Sequence, residues 1–532
     1  MKRGCLIFAC ALCLAACGTR QDPPTVLVGI DGGEWQVIDE MIAAGELPNL
    51  ARIKREGAWG HLINNGMENS PVVWTTIATG HFARRHGVLD HVFPFGGDGP
   101  RRPVTSELRR VPALWNIATH YGLRSIVVGY FVSHPPEPID GIIVSSQAPT
   151  WEKGAIYPED ALPLEEWLYQ ELKNPGVRSG IWQPFFGWNF DPAQAEDPES
   201  PYRAAADIVV GRDLAGRIVR DEFLRRAVHT LTDEPSDLFI AYYRIPDLVS
   251  HLLWKYYDPQ AYESPPSKEE MEWFGESVRQ SYRFVDQALG GLIKGWDGEA
   301  NIIIVSDHGF GRAAAHKMEA GNEQVKHLTG DHRPDGIILA TGPDIEPGQI
   351  EGLTIMEIAP TLAALMELPV AGELPGNVAT GLLREGFLTD HPIQSVADYS
   401  FVAMPHGEVT LNHAGQEDEM NTLKGLGYVG EGVEFDVTST AGEYDFWAAD
   451  EPLVAAHMSS EIFYYLLRGE TDLADEALDL LLQHRPDAAW RALVFTEHRF
   501  ASLREGLPQG ILDASTFESF FKAHPFSKFA TN

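Results

Sequence analysis

The chain has 532 residues, 44% of them hydrophobic and 22% charged, a globular composition that excludes general disorder. A formal net charge of −35 excludes a nucleic-acid polymer as partner, because an acidic surface gains nothing from counterion release. Small phosphate esters stay open, since bound cations reverse the local field.

The N-terminus reads as a processing signal. Lys2 and Arg3 precede CLIFACALCLAAC, an apolar run too short to span a bilayer. Leu14-Ala15-Ala16-Cys17 resembles a bacterial lipoprotein box, which implies a lipid on Cys17, a membrane anchor and residence in the cell envelope. All four cysteines (Cys5, Cys10, Cys13, Cys17) lie in this leader, so any metal in the body must be held by histidines and carboxylates.

After a short tether, TVLVGID (25–31) is an apolar strand ending on Asp31. WQVIDEMIAAGELPNLARIKREG has helical spacing up to a glycine. RSIVVGYFV and GIIVSS are further strands, and DLFIAYYRIPD is a strand ending at Asp247. MEWFGESVRQSYRFVDQALGGLIKGW is an amphipathic helix feeding the strand NIIIVSD, which ends at Asp307. DGIILATGP is a strand and TIMEIAPTLAALMELP a helix. This alternation predicts an α/β fold with a mostly parallel central sheet covered by helices on both faces. Residues at about 150–230 break the pattern as an insertion near the site mouth, its aromatics (Trp151, Trp167, Trp182, Phe185, Phe186, Trp188) either lining a pocket or simply packing. Residues 385–440 are irregular. The expected division is a leader at 1–17, a catalytic body at 25–440 and a C-terminal helical appendage at 441–532.

Three strands that each end in an Asp would bring Asp31, Asp247 and Asp307 together at the carboxyl edge of the sheet, where ligands bind. Clustered carboxylates repel one another, and a divalent cation removes that cost. His251 in DLVSH, His308 in SDHG and His332 in TGDHRPDG add imidazoles, a donor set suited to zinc or manganese. Hydroxyls cluster at Ser70, Thr75, Thr76 and Thr79 in NSPVVWTTIATG; the last two read as helix filler. One hydroxyl at a helix N-terminus beside a cation would be an activated nucleophile.

VGIDGGEW, SPVVWTTIATG with HGV, PDLVSH, SDHGFG, HRPDGIILATGP and IAPTLAALMELP, in this order, resemble the type I phosphodiesterase/nucleotide pyrophosphatase branch of the alkaline phosphatase superfamily. LKGLGYVG at 424–431 looks like the segment near the end of such domains. The resemblance implies two divalent metal ions. One would be held by Asp31, Ser70, Asp307 and His308, the other by Asp247, His251 and His332. It makes Ser70 the nucleophile, with Thr75 as the alternative register, because this chain has Ser70-Pro71-Val72-Val73 in place of Thr-x-Pro-Asn. His91 stands where diesterases carry an asparagine to the phosphoryl oxygen and is a second catalytic candidate. The implied activity is phosphodiester hydrolysis. A phosphomonoesterase or headgroup transferase would need further cations, for which Arg84, Arg85, Arg312, Lys317 and Lys326 are available. The absence of C/S-x-P-x-R disfavours a sulfatase. A non-catalytic metal-binding scaffold is the rival from another class.

Overall fold

The computed structural model describes residues 23–525 apart from 67–68, 97–98, 149–153, 162–170, 173, 188–212, 297, 314–327, 406–412, 427, 430–432, 435, 437–443 and 507–513. The leader, with Cys17, therefore lies outside the described residues, as do Trp151, Trp167, Trp188, Lys317 and Lys326.

Apart from four two-residue strands in two small ribbons, the strands in chain order are β1 (Thr25–Ile30), β2 (Ala58–Ile63), β3 (Ser125–Val128), β4 (Gly141–Val144), β5 (Ile156–Tyr157), β6 (Leu238–Tyr243), β7 (Asn301–Val305), β8 (Gly309–Arg312), β9 (Gly330–Arg333), β10 (Asp335–Thr341) and β11 (Gly348–Thr354). Strands β8 and β9 form a separate antiparallel ribbon; the other nine make one sheet in the order β11-β2-β10-β7-β1-β6-β3-β4-β5. Only β10 and β5 run against the rest. The sheet is mostly parallel, as expected, with DGIILATGP supplying an antiparallel exception beside β7.

The main helices are α1 (Trp35–Ala43), α2 (Pro48–Glu56), α3 (Ser70–Thr79), α4 (Leu214–Leu231), α5 (Ile245–Tyr257), α6 (Ser277–Trp296), α7 (Ile358–Leu365), α8 (His413–Gly425), α9 (Glu451–Leu467), α10 (Thr471–His484), α11 (Ala489–Gly506) and α12 (Ala514–Ala523). Strand alternation sorts them onto two faces. Val26, Val28 and Ile30 of β1 join a core with α1, α2, α4, α5 and α6, while Leu27 faces α3, α7 and the C-terminal helices. Two stretches expected as single helices are each broken. The first turns at Gly45 (φ +76°) between α1 and α2; the second separates Lys268–Phe274 from α6 near Gly275. A glycine costs a helix about 1 kcal/mol, and here it lets the chain change direction.

The C-terminal helices share the core of the sheet's α3 face. Phe82 packs its ring on Tyr464 at 5.5 Å, Arg84 pairs with Glu461 at 3.1 Å, and His457 Nε2 lies 2.8 Å from the Leu89 carbonyl. No helix among the described residues is long and apolar enough to cross a membrane.

Within the 150–230 insertion, Phe185 and Phe186 are buried against Phe284 and Phe274. These two aromatics pack the core under α6, and Trp182 lies against Phe186 at 6.0 Å. The stretch expected to be irregular, 385–440, contains α8, whose Met420 and Leu423 bury against Val429.

Candidate metal centre and active site

Asp31 follows β1 directly, and its backbone N–H donates to the Tyr243 carbonyl of β6 at 3.0 Å, so the end of the strand is held in register. The chain then turns through Gly32 at φ +70°; a Cβ there would also stand 3.0 Å from the Asp247 backbone. Tyr242 of β6 donates its hydroxyl to Asp31 Oδ2. Asp307 and His308 follow β7, the other neighbour of β1, so both parallel partners deliver groups to one place.

His308 is aimed by its own turn. Its Nδ1 lies 3.0 Å from the Gly309 carbonyl, which leaves Nε2 pointing into the cluster. That atom is 3.3 Å from Asp31 Oδ1, 3.4 Å from Asp307 Oδ2 and 3.8 Å from Asp247 Oδ1. The Gly-Phe-Gly after His308 is β8, and it pairs Phe310 with His332 of β9. The ribbon thereby stacks the His332 ring on His308, centroids 3.6 Å apart.

Asp247 is not at a strand end. Strand β6 stops at Tyr243, and Asp247 lies in the first turn of α5, which Pro246 helps to start. Helical spacing then puts His251 one turn along on the same face, its Nε2 3.2 Å from Asp247 Oδ1. His251 Nδ1 lies 3.3 Å from the Gly330 carbonyl, again freeing Nε2. His332 Nε2 is 3.3 Å from Asp247 Oδ1 and 2.8 Å from His251 Nε2.

The six predicted Asp and His ligands therefore meet: Asp31, Asp307 and His308 form one group, Asp247, His308 and His332 an adjoining one that shares His308, and His251 lies against Asp247 and His332. Asp31 Oδ1, Asp247 Oδ1, Asp307 Oδ2 and His308 Nε2 are buried without an aligned hydrogen-bond partner. Orphaned charged atoms of this kind are costly unless a cation satisfies them. Burial and then Asp31 push the Asp307 carboxyl well above its ordinary range. Burial opposes a charge on His308, but Asp307 and Asp31 outweigh it and raise it to about 10. Both responses are those of an anionic cage collecting whatever positive charge it can. The donor set fits divalent cations of the zinc or manganese type.

Ser70 begins α3 and is buried. Docking of α3 depends on Gly29 of β1, where a Cβ would approach Trp74 and Tyr242 to 2.8 Å. Thr75 donates to the Pro71 carbonyl at 2.6 Å and Thr79 to the Thr75 carbonyl at 2.7 Å, so both hydroxyls are spent inside the helix. Thr76 is engaged with His86 at 3.1 Å.

His91 is buried and stacks on Tyr428 at 4.2 Å. Both of its ring nitrogens lack hydrogen-bond partners, and burial holds it neutral, pushed down to about 3. With Pro71 it lines a small pocket whose other walls include Phe131, Gln147, Arg244 and Glu419. Sequence reasoning missed the last two. Arg244 makes a two-pronged pair with Glu419 of α8, at 3.0 and 3.2 Å. It also missed Glu34, whose carboxylate accepts the Phe310 N–H at 2.8 Å and ties β8 to the turn after β1. Tyr428 lay in a quoted segment, but its side chain carried no signal as a site group; its hydroxyl is 3.0 Å from His251 Nε2. Of the proposed extra cations, Arg84 and Arg85 pair with Glu461 and Glu373, and Arg312 lies over Tyr262.

A mostly parallel sheet here gathers carboxylates and imidazoles at the carboxyl ends of its strands, where such sheets bind ligands. The chain belongs to the type I phosphodiesterase/nucleotide pyrophosphatase family, whose profile matches residues 25–356, more than half of its length. Among solved structures it is similar to murine ectonucleotide pyrophosphatase/phosphodiesterase 5, determined as an inactive variant in complex with AMP. That match has 13% identity over 68% of this chain and 100% of the other, with a TM-score of 0.39. The human counterpart gives 13% identity over the same shares and a TM-score of 0.40. Phosphonoacetate hydrolase from Sinorhizobium meliloti 1021, in complex with phosphonoformate, gives 19% identity over 55% of this chain and 57% of the other, TM-score 0.35. A search of curated proteins gave no match.

Proposed function

We propose that this phosphoester hydrolase is a phosphodiesterase with two divalent cations and Ser70 as nucleophile. The observation that carries the reading is the set of four buried, unpartnered ligand atoms on Asp31, Asp247, Asp307 and His308, flanked by His251 and His332. Asp31, Ser70, Asp307 and His308 would hold one cation, and Asp247, His251 and His332 the other. When bound, such a pair supplies Lewis-acid stabilisation of charge on the attacking, leaving and non-bridging oxygens.

The rest is the work of the chain. Ser70 opens α3, so the positive end of the helix dipole lies beside its hydroxyl. Ser70 Oγ attacks phosphorus, an Oγ–P bond forms, the P–O bond to the departing alcohol breaks, and the Ser70 proton leaves on that alcohol or to solvent. Water then cleaves the phosphoserine, releasing the monoester and restoring Ser70. His91, neutral and unpartnered, faces the ester substituent from the cavity beside Pro71. Among the described candidates Arg84 and Arg85 are paired and Arg312 lies over Tyr262, which supports diesters over dianionic monoesters that need more positive charge. The anchor at Cys17 belongs to the same proposal: Cys17→Ser should release the protein from the membrane fraction with activity unchanged, and continued membrane association would refute the anchor.

The test is a panel of bis-p-nitrophenyl phosphate, p-nitrophenyl phosphate, a thymidine 5′-monophosphate ester and a sulfate ester with added zinc. The diesters should be preferred, and Ser70→Ala should lower turnover by orders of magnitude with a phosphoserine trappable at residue 70 in the wild type. Activity that survives Ser70→Ala and is lost in Thr75→Ala would move the nucleophile to Thr75.

A further inference from the structure

Three ligands are implied for the second cation, yet the structure gathers four donor atoms there. The fourth is Tyr428 Oη, 3.0 Å from His251 Nε2 and 3.4 Å from His332 Nε2. With Asp247 Oδ1 to His251 Nε2 at 3.2 Å, Asp247 Oδ1 to His332 Nε2 at 3.3 Å and the two imidazole nitrogens 2.8 Å apart, five edges of a four-cornered figure are defined. Four donors at 2.0–2.2 Å around a tetrahedral zinc ion are separated by about 3.3–3.6 Å. The five observed edges run from 2.8 to 3.4 Å, close to that range.

Tyr428 lies beyond the family match, which ends at residue 356, in the segment LKGLGYVG. It is also held in place. Its ring stacks on His91 with 21° between the planes, and its backbone N–H donates to the Leu423 carbonyl at the end of α8 at 2.9 Å. Helix α8 is in turn fastened to the start of α5 by the Glu419–Arg244 pair. Charge agrees with geometry: one carboxylate and one phenolate would balance a dication, and the two histidines would stay neutral.

Resting on the two-cation reading above, we propose that Tyr428 is the fourth ligand of the second metal site, binding through its phenolate oxygen and releasing one proton to solvent as the cation enters.

The test is zinc titration of the metal-free purified protein at neutral pH, followed by ultraviolet difference spectroscopy and by chelator competition. Filling both sites should generate one tyrosinate per chain in the wild type and none in Tyr428→Phe, which keeps the ring on His91. The variant should hold one of its two zinc ions at least about tenfold more weakly. Two bound zinc ions with a flat difference spectrum, a tyrosinate signal that persists in the variant, or unchanged zinc affinity would each overturn the assignment. In those cases the phenol is only a hydrogen-bond partner of His251. Fewer than two zinc ions on the wild type would overturn the two-cation reading itself, and the Tyr428 assignment with it.

Discussion

Asp31, Asp307 and His308 extend from strands paired on both sides, whereas His91, Arg244, Glu419 and Tyr428 come from loops and a helix that meet only in the folded chain. The first region is positioned by backbone ladders and varies little with its surroundings. The second is positioned by side chains, each dependent on another: the Arg244–Glu419 pair seats α8, α8 seats Tyr428, and Tyr428 stacks on His91. Under the proposed function, the chemistry would be fixed in the strand ends while the wall around His91 could change.

The largest expected effect lies in the first region. Asp307→Asn should lower diester hydrolysis by more than the roughly 10–100-fold typical of outer-shell changes, with one cation lost by elemental analysis and the melting curve little altered. Wild-type turnover would break the assignment of the strand ends as the chemical centre. In the second region, Glu419→Ala leaves a buried Arg244 without its partner and should cost about 3–5 kcal/mol in denaturant unfolding. A loss well below 1 kcal/mol would mean that the wall is not built on this pair.

A third effect sharpens the contrast by leaving both regions alone. Burial holds His81 and His457 down at about 4 and His134 at about 3, against an ordinary value near 6.5. Folding keeps these rings neutral, so the unfolded chain binds more protons below pH 6.5. Stability is therefore full above that value and falls as pH drops toward 4, by up to about 1.4 kcal/mol per pH unit for each histidine. Urea midpoints that stay flat from pH 6.5 to 4 would contradict this, and His457→Gln should reduce the slope. The smallest effect belongs to Arg85, a surface partner of Glu373. Arg85→Ala should change stability by about 0–1 kcal/mol and leave hydrolysis unaltered. A large loss of turnover would return it to the phosphate site.

The same division explains what could be read from residues alone. Asp31 and Asp307-His308 follow apolar runs of strand character, and the spacing of Asp247 and His251 is that of one helical turn, so local pattern finds them. Asp247 was expected at a strand end because YRIPD continues an apolar run; Pro246 instead sits in the first turn of α5. Nothing local marks Arg244 or Tyr428. Their roles arise from contacts with α8, a polar helix with too few apolar positions to announce itself, in a stretch that reads as irregular. For Phe185 and Phe186 the sequence left pocket lining and packing open, and these two rings fill a core.

Strand β2 pairs only with β10 and β11, although it leaves the ribosome long before either. Its edges stay open until most of the chain has emerged, and the same wait applies to α3, whose outer face is covered by α9 and its neighbours. Synthesis from the N-terminus therefore cannot complete the fold domain by domain. A chain stopped short of residue 335 should expose unpaired strand edges and aggregate, and one stopped before Tyr428 should lack the proposed fourth ligand.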